Sequence, residues 1–219
     1  MRNASIGLQT FLLLTFSGQV FAQSDFVPVE NKKLTLRWNP LGILAVWDQN
    51  LSLGLEKQFS GQASYGTDVA YIFYSSYLSE SDRSSGFMFR PFVRYYFREN
   101  GRDFVETELQ YKRVAYEITD WIGKDVVNGV PAYEEHMTFD YIKHVYGFHI
   151  KVGTQTRLSA DERWRVEWYT GLGYRWKNQG PKEGEYLRRT AIWLQIYDRK
   201  FSSVVLIMGC RLLFDVRKN

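Results

Sequence analysis

Cysteine is almost missing from this chain of 219 residues: Cys210 is the single one, so no intrachain disulfide can form. Whatever fold the chain takes is held by its hydrogen-bond ladder and its packing. Proline is scarce as well, with five residues, which leaves long stretches able to donate every backbone N–H. Beyond the N-terminal segment no run approaches the roughly 18 uninterrupted apolar residues of a spanning helix. A one-sign charge field is lacking too: 28 Lys and Arg stand against 24 Asp and Glu, a formal charge of +4, with both signs interleaved. That footprint does not suit nucleic acid. No GxGxxG or phosphate-binding loop opens a helix, and no Ser has a His and a carboxylate at triad spacing. These absences imply no cofactor.

Aromatic residues, by contrast, make up 17% of the chain, with 15 Tyr, 15 Phe and 7 Trp. The densest stretch, Phe87 to Tyr111, places Phe87, Phe89, Val93, Tyr95 and Phe97 on one parity and Arg90, Arg94 and Arg98 on the other. A strand sends alternate side chains to opposite faces, so this arm has an aromatic face and a guanidinium face. Glu99 to Asp103 supplies turn chemistry. In the second arm Val105, Leu109 and Tyr111 oppose Glu106, Glu108, Gln110 and Lys112. Each arm is about 10 residues, the length a tilted strand needs to cross a bilayer.

The same alternation recurs. It predicts strands at about Lys32 to Val46, Leu51 to Phe59, Ala63 to Tyr74, then the hairpin with its second arm running to about Asp120. Further strands follow at Tyr141 to Arg157, Arg163 to Lys177 and Ser203 to Val216, with the register between Thr190 and Lys200 open. Pro40 cannot donate to a ladder, so a bulge or a late start is expected in the first strand. Long connections are expected at Ser75 to Gly86, Trp121 to Asp140 and Asn178 to about Arg189, alternating with short turns. Short turns at one end and long loops at the other, with an even strand count, are the habit of outer-membrane barrels.

At the N-terminus, Arg2, the apolar run Ile6 to Phe16 and the small residue Ala22 read as a secretory signal peptide spanning residues 1–22. Residues 23–31 read as a flexible lead-in, and 32–219 as the barrel domain; no Cys follows the cleavage site to carry a lipid anchor. The predicted fold is all-β, an eight-stranded antiparallel up-and-down transmembrane β-barrel with both termini periplasmic.

Which parity faces inward decides the function. The polar parity carries Glu56, Asp68, Arg90, Arg94, Glu106, Glu108, Lys112, Lys143, Lys151, Arg165, Glu167, Arg175 and Arg211. On a soluble barrel these would simply be solvated. In a membrane barrel they would pair in a narrow lumen and fill it, while Phe89, Val93, Tyr95, Phe97, Tyr146, Phe148, Trp164, Trp168 and Leu206 would face lipid. The membrane reading is preferred, because rings at nearly every second position would overfill an eight-stranded interior. The predicted role is a surface structural or interaction protein acting through its outer loops, with membrane lipid and an unspecified protein as partners. A periplasmic carrier of an apolar ligand and a lipid-modifying enzyme are the alternatives. For the enzyme, His149 on the polar parity or His144 on the apolar one would be the base. Glu134, Glu135, His136 and Asp140 cluster without standard metal-ligand spacing, and no catalytic or metal residue is assigned. Cys210 is expected to be lipid-facing or packed.

The stretches RPFVRYYF, FVETELQY, NPLGIL with LSLGLEKQF, and GCRLLF resemble the small outer-membrane β-barrel proteins of the Bacteroidota over most of Lys32 to Phe214. The resemblance implies a fold and a location; it brings no reaction and no site residues. One departure is that Phe214 is followed by Asp215 to Asn219, where many outer-membrane barrels end on an aromatic residue.

Overall fold

Strands β1 (Leu34–Asn39), β2 (Asp48–Gln58), β3 (Ala63–Ser75), β4 (Arg83–Tyr96), β5 (Asp103–Lys124), β6 (Tyr133–Arg157), β7 (Trp164–Pro181) and β9 (Lys200–Val216) pair antiparallel, each with its neighbours in the chain. β1 also pairs with β9, so the sheet closes into an eight-stranded up-and-down ring. A two-residue strand, β8 (Tyr186–Leu187), adds to β5 at Ile122 and Gly123. The computed structural model describes residues 34–45, 47–60, 62–77, 81–97, 102–125, 127–128, 130–158, 163–181, 186–187 and 200–216. The predicted signal peptide (1–22) and lead-in (23–31), and the open register from Thr190 to residue 199, lie outside the described residues.

Closure follows from stagger. Stepping across the ladders from Trp38 through Leu53, Val69, Phe89, Tyr111, Tyr146 and Trp176 reaches β9 at Ser202, whereas Trp38 itself pairs with Leu212, an offset of ten residues. Such an offset goes with strands tilted by roughly 35–45° and an interior just wide enough for side chains. Where side chains are large, their neighbours are glycine. A Cβ on Gly66 would stand 2.5 Å from the Phe92 ring, one on Gly153 2.5 Å from the Phe104 ring, and one on Gly209 2.4 Å from the Tyr169 hydroxyl.

The lower end, where Leu34 pairs with Val216, carries the connections 59–62, 97–102 and 158–163. The upper end carries 40–47, 76–82, 125–132 and 182–199, interrupted by β8. Two expectations need correction. The first strand stops at Asn39, not Val46, because Pro40 opens a single 3-10 turn through Gly42, and β2 begins at Asp48. Pro91, in contrast, stays within β4, where the ladder to β3 is continuous and the ladder to β5 skips Arg90 and Pro91. Second, Trp121 to Asp140 is not a long loop: β5 runs to Lys124 and β6 starts at Tyr133, paired in unbroken register. The turn between them uses Asp125 and Asn128 at φ 50° and 54°, a conformation these short polar residues tolerate. Its polar residues mask the strand signal, since the partner of each is across the hairpin and out of sight in the sequence.

Candidate functional site

All eight strands of the ring meet in a cage of ion pairs at mid-height. Glu106, fully buried on β5, lies 3.0 Å from Arg37 of β1, 2.5 Å from Arg94 of β4, 3.2 Å from Arg211 of β9 and 3.2 Å from Lys151 of β6. Arg94 also reaches Glu167 of β7 at 2.7 Å and Glu56 of β2 at 3.3 Å. Arg211 reaches Glu167 at 2.9 Å, and Lys151 reaches Glu108 at 2.5 Å. Asp68 of β3 lies 3.4 Å from Arg37 and 3.6 Å from Arg211. Four cations thus face five carboxylates, with Arg90 at the edge, 3.9 Å from Asp68.

Isolated charges in such a place would be prohibitively costly; pairing and hydrogen bonding make burial tolerable. Aromatic faces help. The guanidinium of Arg37 sits 3.7 Å from the centre of the Phe92 ring, Arg94 3.8 Å from that of Phe104, and Arg211 4.2 Å from that of Tyr169. Glu56 accepts hydrogen bonds from Ser64 (2.6 Å) and Tyr96 (2.7 Å). Toward the lower mouth Arg165 donates to Asp215 and to Gln155, each at 2.5 Å, and Thr35 donates to the same Asp215 at 2.8 Å.

Of the predicted polar set, the ring brings Glu56, Asp68, Arg94, Glu106, Glu108, Lys151, Glu167 and Arg211 into one cage, with Arg90 beside it. Arg165 is apart, at the lower mouth. Lys112, Lys143 and Arg175 lie above the cage, Lys112 bound to Asp48 at 2.5 Å. The nine aromatic and aliphatic positions Phe89, Val93, Tyr95, Phe97, Tyr146, Phe148, Trp164, Trp168 and Leu206 are all on the outer face, 40–66% exposed. Sequence reasoning omitted Arg37, Asp48 and Asp215, although Arg37 alternates with Leu36 and Trp38, and Asp215 with Phe214. It also took the interior to be charge alone. Phe92, Tyr96, Phe104 and Tyr169 point inward among the arginines, and an apolar cluster of Ile72, Val114, Tyr116, Ile118, Ile122, Phe139 and Tyr141 fills the upper part. Their parity was the available signal; their chemistry pointed the other way.

His149 is buried in this interior. Arg175 Nε can only donate, so His149 Nε2 accepts from it (3.2 Å), and the Nδ1–H donates to Glu108 (2.9 Å). Both ring nitrogens are therefore engaged. His144 is on the outer face, its Nδ1 3.0 Å from the Tyr111 hydroxyl. Among the described residues no group of three or more His, Cys, Asp or Glu is placed to hold a metal ion. Glu134, Glu135, His136 and Asp140 lie on β6, with His136 edge-on to Trp121, and Cys210 is buried on the outward parity. No protein-family model matches the chain, and no curated protein matches it.

Proposed function

We propose that the protein is an outer-membrane β-barrel, exported by the signal peptide at 1–22, with a closed, charge-filled lumen. Its role is that of a surface structural or interaction protein working through the upper connections and the β5–β6 arm. One observation carries this reading: every strand of the ring proper offers a large apolar side chain outward. Leu36, Leu53, Val69, Val93, Leu109, Ile150, Leu172 and Leu206 are all exposed, while charged residues are buried behind them. In water that arrangement is upside down, since an apolar band this continuous would drive association. In hydrocarbon it is the stable one, because strands satisfy their backbone groups in the closed ladder and keep charge from lipid.

The loop asymmetry between the two ends supports the orientation, with the lower end periplasmic, and the resemblance to the Bacteroidota barrels supports the address. A carrier of an apolar ligand would need the rings to line a cavity, and their outward position disfavours it. The engaged nitrogens of His149 disfavour a lipid-modifying reaction based on it. Membrane fractionation combined with heat-modifiable gel mobility tests the proposal: the protein is expected in the outer membrane, migrating faster unboiled than boiled. Recovery as a soluble periplasmic monomer would overturn it. Steady single-channel current from the purified protein would overturn the closed lumen alone.

A further inference from the structure

The outer face changes chemistry toward its upper rim, and it does so in one sense. Rings pack side by side at the uppermost apolar positions of β4 to β7: Phe87 edge-on to Tyr111 (centroids 5.7 Å apart), Tyr111 against Tyr146 (5.3 Å) and Tyr146 stacked on Trp176 (6.0 Å). One outward position higher on these strands stand Ser85, Arg113, His144 and Asn178. All four carry donors, and none is a carboxylate. The first outward carboxylates on β5 and β6, Glu117 and Asp140, come four residues further along, beyond Ala115 and Ile142, about 13 Å away at roughly 3.3 Å per residue.

Arg113 and His144 are direct cross-strand partners, and His144 pairs in turn with Asn178. On one face such partners hold their Cβ atoms about 4.5–5.5 Å apart, so a single tetrahedral anion can touch both side chains. Arg113 and His144 are half-buried. The Arg113 guanidinium makes no hydrogen bond or ion pair among the described residues. The Tyr111 hydroxyl lies 3.0 Å from His144 Nδ1, and the tyrosine ring is stacked on the imidazole. With Nδ1 accepting from Tyr111, Nε2 carries the hydrogen and has no acceptor among the described residues. A guanidinium fork with an imidazole N–H beside it suits a phosphate group. Tyrosine and tryptophan mark the headgroup level of a bilayer, which is where a lipid carries its phosphate.

We propose that Arg113 and His144 form a binding site for the phosphate of an anionic lipid headgroup in the leaflet at the upper end of the barrel. Asn178 stands beside the site, and the rings of Tyr111, Tyr146 and Trp176 form a shelf beneath it for the rest of the lipid. The site rests on the reading of the outer face as lipid-facing. The test uses the full chain folded in dodecyl maltoside micelles, which hold no phosphate, with phosphatidic acid, diacylglycerol or inorganic phosphate added. Native mass spectrometry counts the lipid retained, and saturable retention of phosphatidic acid over diacylglycerol is expected. Arg113→Gln should weaken it about tenfold and His144→Phe, which keeps a ring against Tyr111, about threefold, the effects of a charged and a neutral hydrogen bond. Lys57→Gln, which removes an exposed outward cation near the lower end, should leave it unchanged. Phosphorus NMR line broadening of phosphatidic acid on the unmodified protein gives a reading independent of any variant. Displacement of the lipid by an equal concentration of inorganic phosphate would overturn a lipid as the occupant. Equal retention of phosphatidic acid and diacylglycerol, or retention that survives both Arg113→Gln and His144→Phe, would overturn the site while heat-modifiable mobility of the same sample still shows a barrel in its micelle. A protein that stays folded and monomeric without detergent would instead overturn the membrane reading, and the site with it.

Discussion

β5 is two different walls in one strand. From Asp103 to Lys112 it keeps Glu106, Glu108, Gln110 and Lys112 inside and Leu109 and Tyr111 outside. From Arg113 onward the parity is the same and the polarity reversed: Val114, Tyr116, Ile118 and Ile122 are buried, while Glu117 and Thr119 face out. Its partner β6 changes at the same height, since Arg113 pairs with His144. Below that pair Phe148 and Ile150 are outside and His149 and Lys151 inside; above it Phe139 and Tyr141 are inside, with Thr138 exposed. A strand buries on one face whatever the medium on the other face does not favour. In the proposed reading, the level of Arg113 and His144 is where the wall leaves lipid for water, and the arm above it is a small water-exposed unit with its own core.

The largest effect expected is at the centre of the lower wall. Glu106→Ala removes the one carboxylate that touches Arg37, Arg94, Arg211 and Lys151 together, so each of these four buried cations loses a paired partner. Removing one partner from such a network costs about 3–5 kcal/mol. Chemical denaturation of the folded protein in micelles measures it, and a cost under about 1 kcal/mol, the size of an exposed pair, would show that water, not protein, compensates these charges.

A matched pair of outward substitutions sharpens the contrast between the halves. Leu109→Arg, in the lower wall, should destabilise the barrel in lipid by about 2–4 kcal/mol, as a cation facing the bilayer interior does. Thr119→Arg, on the same parity in the upper wall, should stay within about 0.5 kcal/mol. Unfolding from lipid vesicles gives both values. Equal and small costs would mean that one solvent bathes both halves, and the membrane boundary would be lost with it.

Packing in the lower wall allows a third, smaller test. Gly153→Val would bring a Cβ to 2.5 Å from both the Phe104 ring and the Trp168 carbonyl oxygen. One of those is backbone and cannot swing away, so an overpacking cost of about 1–3 kcal/mol is expected. Full parent stability in the same denaturation assay would show that the ring is looser than its side chains suggest.

The lower wall was legible in the sequence because its faces differ sharply: in RPFVRYYF and FVETELQY, every second residue is charged or bulky and apolar. The upper wall was not. Around Val114 to Trp121 the apolar residues shift to the opposite parity, and a reader following the lower pattern meets disorder and writes a loop. Gly123, Gly129 and Pro131 strengthened that impression, although the turn between β5 and β6 occupies only 125–132. The ion pairs themselves, Glu106 with Arg37 or Asp68 with Arg211, join residues remote in the chain, and parity can place them on one face without saying which of them touch. The stagger of the ring decides that, and stagger is a property of closure that no single strand carries.

The smallest effect separates the arm from the ring. Ile122 is fully buried in the upper cluster, at a position opposite Glu135 and beside Leu187 of β8. Ile122→Val removes one methylene and should cost about 0.5–1.5 kcal/mol. If the arm is a separate cooperative unit, that loss appears as faster amide hydrogen exchange from Ile118 to Phe139 and leaves the exchange of β7 and β9 unchanged. Exchange accelerating equally around the whole ring would instead mean that the two walls of β5 unfold as one, and that the change of polarity marks a change of solvent without a change of structural unit.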